Sequence, residues 1–133
     1  MEQTLSIIKP DAVERNLENE IKQIFLNKGF KIIKEKKIQI EKQEAEKFYK
    51  VHETKPFYND LCSYLASGPI VVMVLEKENA VLENRELMGS TNPKDAKQAT
   101  IRKKYGISID KNSVHGSDSL DNASTEIDFF FKD

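Results

Sequence analysis

Residues 67–75 read Ser67-Gly68-Pro69-Ile70-Val71-Val72-Met73-Val74-Leu75, SGPIVVMVL. The run from Ile70 to Leu75 is apolar without a break, rich in β-branched residues and of strand length. It therefore predicts a strand covered on both faces, at the centre of a sheet. Ser67, Gly68 and Pro69 end whatever precedes it, because glycine and proline both interrupt a helix. On the N-terminal side, Phe57, Leu61 and Leu65 recur at helical spacing behind Pro56, which predicts a helix started by the proline, with Phe57 in its first turn. On the C-terminal side, Asn79 is placed to cap a helix running to Met88 and closed by Gly89, with Arg85 one turn past Val81 at the margin of the apolar stripe.

A second apolar, β-branched run, Thr4 to Ile8, reads as a strand ending at Lys9, because Pro10 cannot continue the pairing. Lys9 then lies at a strand's C-terminal edge. Leu17, Ile21, Ile24 and Phe25 have helical spacing, and Gly29 stands where a left-handed cap is needed. From Phe30 to Ile40, positions 30, 32, 38 and 40 share one strand face that Lys34 and Lys36 interrupt, as in an edge strand. Ala45, Phe48, Tyr49 and His52 are again helical, which sets Tyr49 and His52 on a face with core residues and their polar tips toward a cleft.

Gly89 to Lys111 is long and polar, broken only by a short helix-like piece near Ile101 to Tyr105, and reads as a binding loop. Beyond the short strand that follows it, Asp118 is placed to cap a last helix with Leu120, Ala123, Ile127, Phe130 and Phe131 as its stripe. Strand, helix, strand, helices, strand, helix, short strand, helix is the order of a ferredoxin-like βαββαβ domain with extra helices inserted. The expectation is an α+β fold with an antiparallel sheet whose two most apolar strands are the middle pair. The 133 residues are enough to bury a core as one domain, 1–133.

Net charge is −1 and the 32% of charged residues are well mixed in sign. That argues against nucleic acid or membrane as partner and for a small molecule. The single cysteine, Cys62, has no internal disulfide partner, and with two histidines it makes a poor zinc set. The apolar run closed by Lys9 and Pro10 is too brief for a signal peptide or membrane span, so a cytoplasmic location is expected.

Chemistry concentrates in Asn112–Asp118, NSVHGSD, just before the last helix. An imidazole is in large part neutral and nucleophilic near pH 7, and Gly116 beside His115 suggests close approach of a bulky charged group. Glu126, three after Ala123 and four before Phe130, lies at the margin of the helical stripe, where a half-buried carboxylate can orient a histidine. Each feature also has a plain reading. Lys9 or Arg85 alone is a solvated charge, Phe57 is a core or surface aromatic, Tyr49 is a packing residue, and His52 packs or lies exposed. A Ser117-His115-Asp118 relay is disfavoured, because residues close together along one strand end do not readily converge.

Four patterns taken together, SIIKPDAV (6–13), KPFY with SGPIVVMVLEKENAV (55–58 and 67–81), GSTNP (89–93) and NSVHGSD (112–118), resemble the nucleoside diphosphate kinase family over essentially the whole chain. The resemblance implies a ping-pong transfer of the terminal phosphate of ATP, or another nucleoside triphosphate, to a nucleoside diphosphate. It puts the phosphorylated histidine on His115, with Ser117 and Glu126 orienting it. It carries the nucleotide contacts to Lys9, Phe57, Arg85, Thr91, Arg102 and Asn112, and the cleft tyrosine to Tyr49.

These residue types suit the task. Lys9, Arg85 and Arg102 neutralise phosphates, Thr91 donates a hydroxyl hydrogen bond, Phe57 stacks on any base, and Lys9 and Asn112 reach the ribose hydroxyls. Mg2+ is expected to arrive on the nucleotide phosphates, with no protein metal ligands. The resemblance further implies a homo-oligomer, a tetramer or hexamer built on a symmetric dimer. Three positions depart from the family pattern: Asn19 and Ala99 stand where glycine is usual, and Lys104 where an acidic residue is common. Ala99 and Lys104 bear on how the loop carrying Arg102 folds. The competing class is a nucleotide-binding or protein-interaction module in which catalysis is incidental.

Overall fold

The computed structural model describes residues 1–109 and 111–131. Four strands, β1 (Glu2–Ile8), β2 (Lys31–Ile38), β3 (Ile70–Lys77) and β4 (Val114–Gly116), form one antiparallel sheet in the order β2-β3-β1-β4. The two apolar runs are the middle pair, as their composition predicts. β2 is the exposed edge, where a register shift between Ile32 and Lys34 accommodates Ile33.

Side-chain alternation along these strands divides the core in two. On one face Ile8, Val71, Met73, Leu75 and Val114 pack with Ile21 and Phe25 of α2 (Glu18–Asn27) and Met88 of α5 (Ala80–Met88). On the other, Leu5, Ile7, Ile70 and Val72 pack with Ala45 of α3 (Lys42–Phe48), Cys62 and Leu65 of α4 (Tyr58–Leu65) and Phe130 of α7 (Leu120–Phe131). His115 pairs with Ile7 across β1–β4, so its side chain belongs to this second face, while Gly116, opposite Ser6, belongs to the first.

Gly29 closes α2 as expected. At φ +89° it lets Phe30 N–H reach the Phe25 carbonyl at 3.0 Å and its own N–H reach that of Leu26 at 3.1 Å. Several local expectations are corrected. Pro56 does not start α4: the chain turns from His52 to Lys55 and from Lys55 to Tyr58, leaving Phe57 just outside the helix and 46% exposed. The helix carrying Ala45 stops at Phe48, and Lys50–His52 winds more tightly, with His52 N–H on the Tyr49 carbonyl at 2.7 Å.

Asn79 adopts φ +53° and makes no side-chain cap. The Glu2 carboxylate of β1 accepts from Val81 N–H instead, at 3.4 Å. Asp118 does not cap α7, because Ser119 Oγ takes the Asn122 N–H at 3.1 Å while Asp118 is bound by the Asn122 side chain. The polar segment after Gly89 is packed rather than open. It holds a 3-10 turn (Pro93–Asp95) and α6 (Ile101–Tyr105), which Thr100 caps, and it buries Ala96, Ile101 and Tyr105.

Candidate active site

β4 carries His115 at the sheet edge, half-buried, beneath the last helix. Nearly two turns into α7, the half-buried Glu126 places Oε1 3.0 Å from His115 Nε2. Ser117 Oγ donates to the same carboxylate oxygen at 2.8 Å. The Leu5 N–H of β1 donates to that hydroxyl at 3.2 Å, so the serine oxygen is used as acceptor by the sheet and its single proton is turned to Glu126. The backbone of a central strand thus sets the rotamer of Ser117, Ser117 sets Glu126, and Glu126 sets the imidazole. Ser117 donates to Glu126 and Asp118 accepts from the Asn122 side chain, so the serine relay does not form.

Aromatic rings wall the histidine. Phe48 lies edge-on with centroids 5.3 Å apart, and Tyr49 at 6.3 Å. Tyr49 is buried, and burial, with the Glu126 charge adding to it, raises its phenol well above the ordinary value, so it stays protonated. From Tyr49 the row continues to His52 at 6.0 Å and on to the exposed Phe57 at 6.0 Å. His52, read from sequence as packing or exposed, is the link between the rim aromatic and the centre.

Arg102 of α6 donates to the Gly89 carbonyl at 3.0 Å and the Val114 carbonyl at 2.9 Å, which ties it to the residue before His115. Burial first, and then the like charge of Arg85, lower its pKa to about 10, with Tyr49 acting in the opposite direction. Its Nε is buried without a hydrogen bond, and among the described residues neither Arg85 nor Arg102 has an ion-pair partner. Two guanidiniums close enough to repel, one of them part-buried, make a site for an anion.

Lys9, at the end of β1, donates through Nζ to Asn112 Oδ1 at 3.0 Å. Asn112 is 2% exposed, and both its N–H bonds are used within the chain, to the Thr91 and Ile109 carbonyls at 3.1 Å each. One lone pair of Oδ1 remains, so Asn112 braces the loop and keeps one acceptor position. Thr91 itself is exposed.

Gly116 has a different reason from the one its sequence context suggests. A Cβ there would lie 2.3 Å from Asn84 Nδ2 and 2.7 Å from Met88 Cε, so the glycine lets α5 close onto β4, on the face opposite the imidazole. Among the described residues no group of three or more His, Cys, Asp or Glu is placed to hold a metal, and no helix is long and apolar enough to cross a membrane. A cavity of about 510 Å³ lies away from this centre, between α2 and β2, lined by the ion pairs Lys22–Glu35 and Lys37–Glu18.

Fold and site together define an α+β phosphate-handling enzyme with a carboxylate-oriented histidine. Comparison with known proteins narrows the class. A family model described as nucleoside diphosphate kinase matches residues 2–133. The chain is 60% identical to a nucleoside diphosphate kinase of a Nitratiruptor species over 131 residues, 98% of this chain and 96% of that relative. It is 58% identical to one from Campylobacter jejuni over 132 residues, 99% and 96% of the two chains. The crystal structure of the Aquifex aeolicus nucleoside diphosphate kinase superposes with a TM-score of 0.96 at 38% identity, covering 98% of this chain and 95% of that one. The Encephalitozoon cuniculi nucleoside diphosphate kinase does so with 0.96 at 38%, covering 100% and 90%. The chain belongs to the nucleoside diphosphate kinase family, and it is an enzyme of that class.

Proposed function

We propose that this chain performs its family's transfer of the terminal phosphate of a nucleoside triphosphate to a nucleoside diphosphate through a phosphohistidine on His115. One observation carries the reading: Nε2 is engaged by Glu126 at 3.0 Å, which fixes the proton there and leaves the Nδ1 lone pair for attack. Nδ1 forms a bond to the terminal phosphorus as the phosphorus–oxygen bond to the leaving diphosphate breaks, and that oxygen keeps the electron pair. In the second half, a terminal phosphate oxygen of the acceptor attacks the phosphorus and the N–P bond breaks, restoring the imidazole.

Arg85, Arg102 and Thr91 bind the phosphates, and Lys9 and the free lone pair of Asn112 Oδ1 meet the ribose hydroxyls. Phe57, 46% exposed at the rim, stacks on the base; Tyr49, protonated and beside the imidazole, completes the cleft wall. Apart from Glu126, whose Oε1 is engaged by His115 and Ser117, the charged groups assigned to the phosphates are cations, a donor set that suits phosphate oxygens and not a metal ion. Mg2+ therefore fits as a passenger on the nucleotide, where it would supply charge neutralisation.

Incubation with γ-labelled ATP and no acceptor tests the assignment. Label is expected on His115 and on no other residue, and full labelling of His115→Ala would falsify it.

The reading extends to one domain of residues 1–133 in the cytoplasm, acting as a homo-oligomer, a tetramer or hexamer. Exposed Ile107 and Ile109, 59% and 54% accessible, precede Asn112 in the same segment and support a neighbour steadying it. Dissociation is then expected to loosen Arg102 and Asn112 and weaken nucleotide binding, with Ala99 and Lys104 tuning the effect. Sedimentation over a range of concentrations beside an activity assay checks this, and a fully active monomer overturns it.

A further inference from the structure

Ser113 separates Asn112 from the first residue of β4, and its backbone sits at φ +75°, a conformation in which any residue but glycine is strained. Strain of that kind persists only where surrounding contacts over-determine it. Here the Ser113 hydroxyl donates to Asp11 Oδ2 at 2.8 Å, Arg15 Nη2 reaches the same hydroxyl at 3.3 Å, and the Ser113 carbonyl accepts the Lys9 N–H at 2.8 Å. Asp11, in α1 (Pro10–Glu14), is itself fixed on every side. The Tyr64 hydroxyl of α4 donates to its Oδ1, its N–H donates to the Tyr64 oxygen at 2.9 Å, and Arg15 binds Oδ2 at 3.1 Å and the Tyr105 carbonyl at 2.6 Å. Burial and the Asp11 carboxylate hold the Tyr64 phenol protonated, so it stays a donor.

This cluster lies outside the cleft, since Ser113 is 0% and Asp11 5% exposed and the carboxylate is already bound by three side chains. Its links nevertheless end on two cleft residues. Asp11 follows Lys9 by two, Ser113 follows Asn112 directly, and Lys9 Nζ and Asn112 Oδ1 meet at 3.0 Å. A glycine at 113 would adopt the same φ without strain but would lose the bond to Asp11. The hydroxyl is therefore what the strained conformation serves.

We propose that Asp11 is a positioning residue: through the hydroxyl of Ser113 it holds Asn112 against Lys9 in the arrangement that receives the ribose of the nucleotide. The proposal rests on Lys9 and Asn112 as ribose contacts, and its test separates the two claims. Acceptor kinetics are measured with ADP and with 2′,3′-dideoxyadenosine diphosphate, for the wild type, Ser113→Gly, Asp11→Asn and Asn112→Ala, alongside thermal unfolding.

Ser113→Gly removes the hydroxyl and the strain together. It is expected to keep its thermal stability while KM for ADP rises by about tenfold, as for one misplaced hydrogen bond, with kcat held within about threefold. The preference for ADP over the dideoxy acceptor should narrow by a similar factor, and Asp11→Asn should narrow it too. A purely structural role would lower stability and leave that preference unchanged. If Asn112→Ala narrows the preference but Ser113→Gly and Asp11→Asn do not, the positioning role is overturned. If Asn112→Ala leaves it unchanged, the ribose assignment itself fails, and the positioning role with it.

Discussion

Nε2 of His115 and Oε1 of Glu126 stand 3.0 Å apart, and the same carboxylate oxygen also receives the Ser117 hydroxyl at 2.8 Å. Two donors converging on one oxygen fix the carboxylate, and through it the imidazole, before any substrate arrives. The pair joins a helix to a strand eleven residues apart in sequence, so its geometry depends on α7 lying across β4.

Glu126→Gln keeps the shape of the side chain and removes the charge that steadies Nε2–H. Turnover is expected to fall on the order of a hundredfold while ADP affinity stays within about threefold. Stopped-flow phosphorylation and equilibrium titration separate the two quantities. Unchanged turnover sinks the role given to Glu126.

Gly116→Ala sets a methyl group against the Asn84 amide and the Met88 side chain. Overpacking of this kind is expected to lower stability by about 1–3 kcal/mol. Asn84 is fully buried, and neither polar atom of its amide has a hydrogen-bond partner among the described residues, so trimming it in the double variant Gly116→Ala/Asn84→Ala should restore much of the loss. Urea unfolding of the two single variants and the pair measures the coupling. Additive effects would show that α5 does not bear on Gly116.

Ala99 adopts φ +70°, which explains why glycine suits this position. Ala99→Gly is expected to raise stability by about 0.5–1 kcal/mol, the left-handed strain removed less the greater freedom glycine has when unfolded. Thermal unfolding reads the sign directly, and a destabilised variant contradicts the strain argument.

Arg102 provides the pH test. Folding lowers its pKa from the ordinary guanidinium value to about 10, so its charged form costs stability at every pH below about 10, and that cost is relieved progressively as pH rises above about 10 toward the unfolded value. At neutral pH the guanidinium keeps its charge, and the phosphate proposed to bind there would offset the penalty. ADP affinity is expected to hold from about pH 7 to 9 and to fall as pH rises through about 10. Arg102→Gln should bind about tenfold or more weakly at neutral pH and lose less on going alkaline. Parallel pH profiles for the two proteins in calorimetric titration would remove Arg102 from the phosphate site.

Legibility from sequence followed the range of the interaction involved. The central strands were plain, because burial on both faces forces Ile70–Leu75 and Thr4–Ile8 to be apolar. The cap at Gly29 was plain for the same local reason, a backbone angle that glycine alone meets without strain. The caps of α5 and α7 were misread: Asn79 and Asp118 have capping side chains, yet the Glu2 carboxylate and Ser119 reach the free N–H groups instead. Gly116 was misread more deeply. A glycine beside a histidine suggests room for a substrate, whereas its neighbours across space are Asn84 and Met88 of a helix some thirty residues earlier.

By itself the sequence determined the order of elements, the two central strands and the histidine proposed to react, with the carboxylate beside it, because hydrophobic periodicity and residue chemistry are properties of short stretches. The tertiary structure alone decided how those parts meet. It turned the Ser117 proton to Glu126 by way of the Leu5 backbone, strung His52 between Tyr49 and Phe57, occupied both N–H bonds of Asn112, and held Ser113 in strain against Asp11. Each of those contacts joins groups brought together by sheet pairing or helix packing, and a hydrogen bond depends on distances of a few tenths of an ångström that no local pattern encodes.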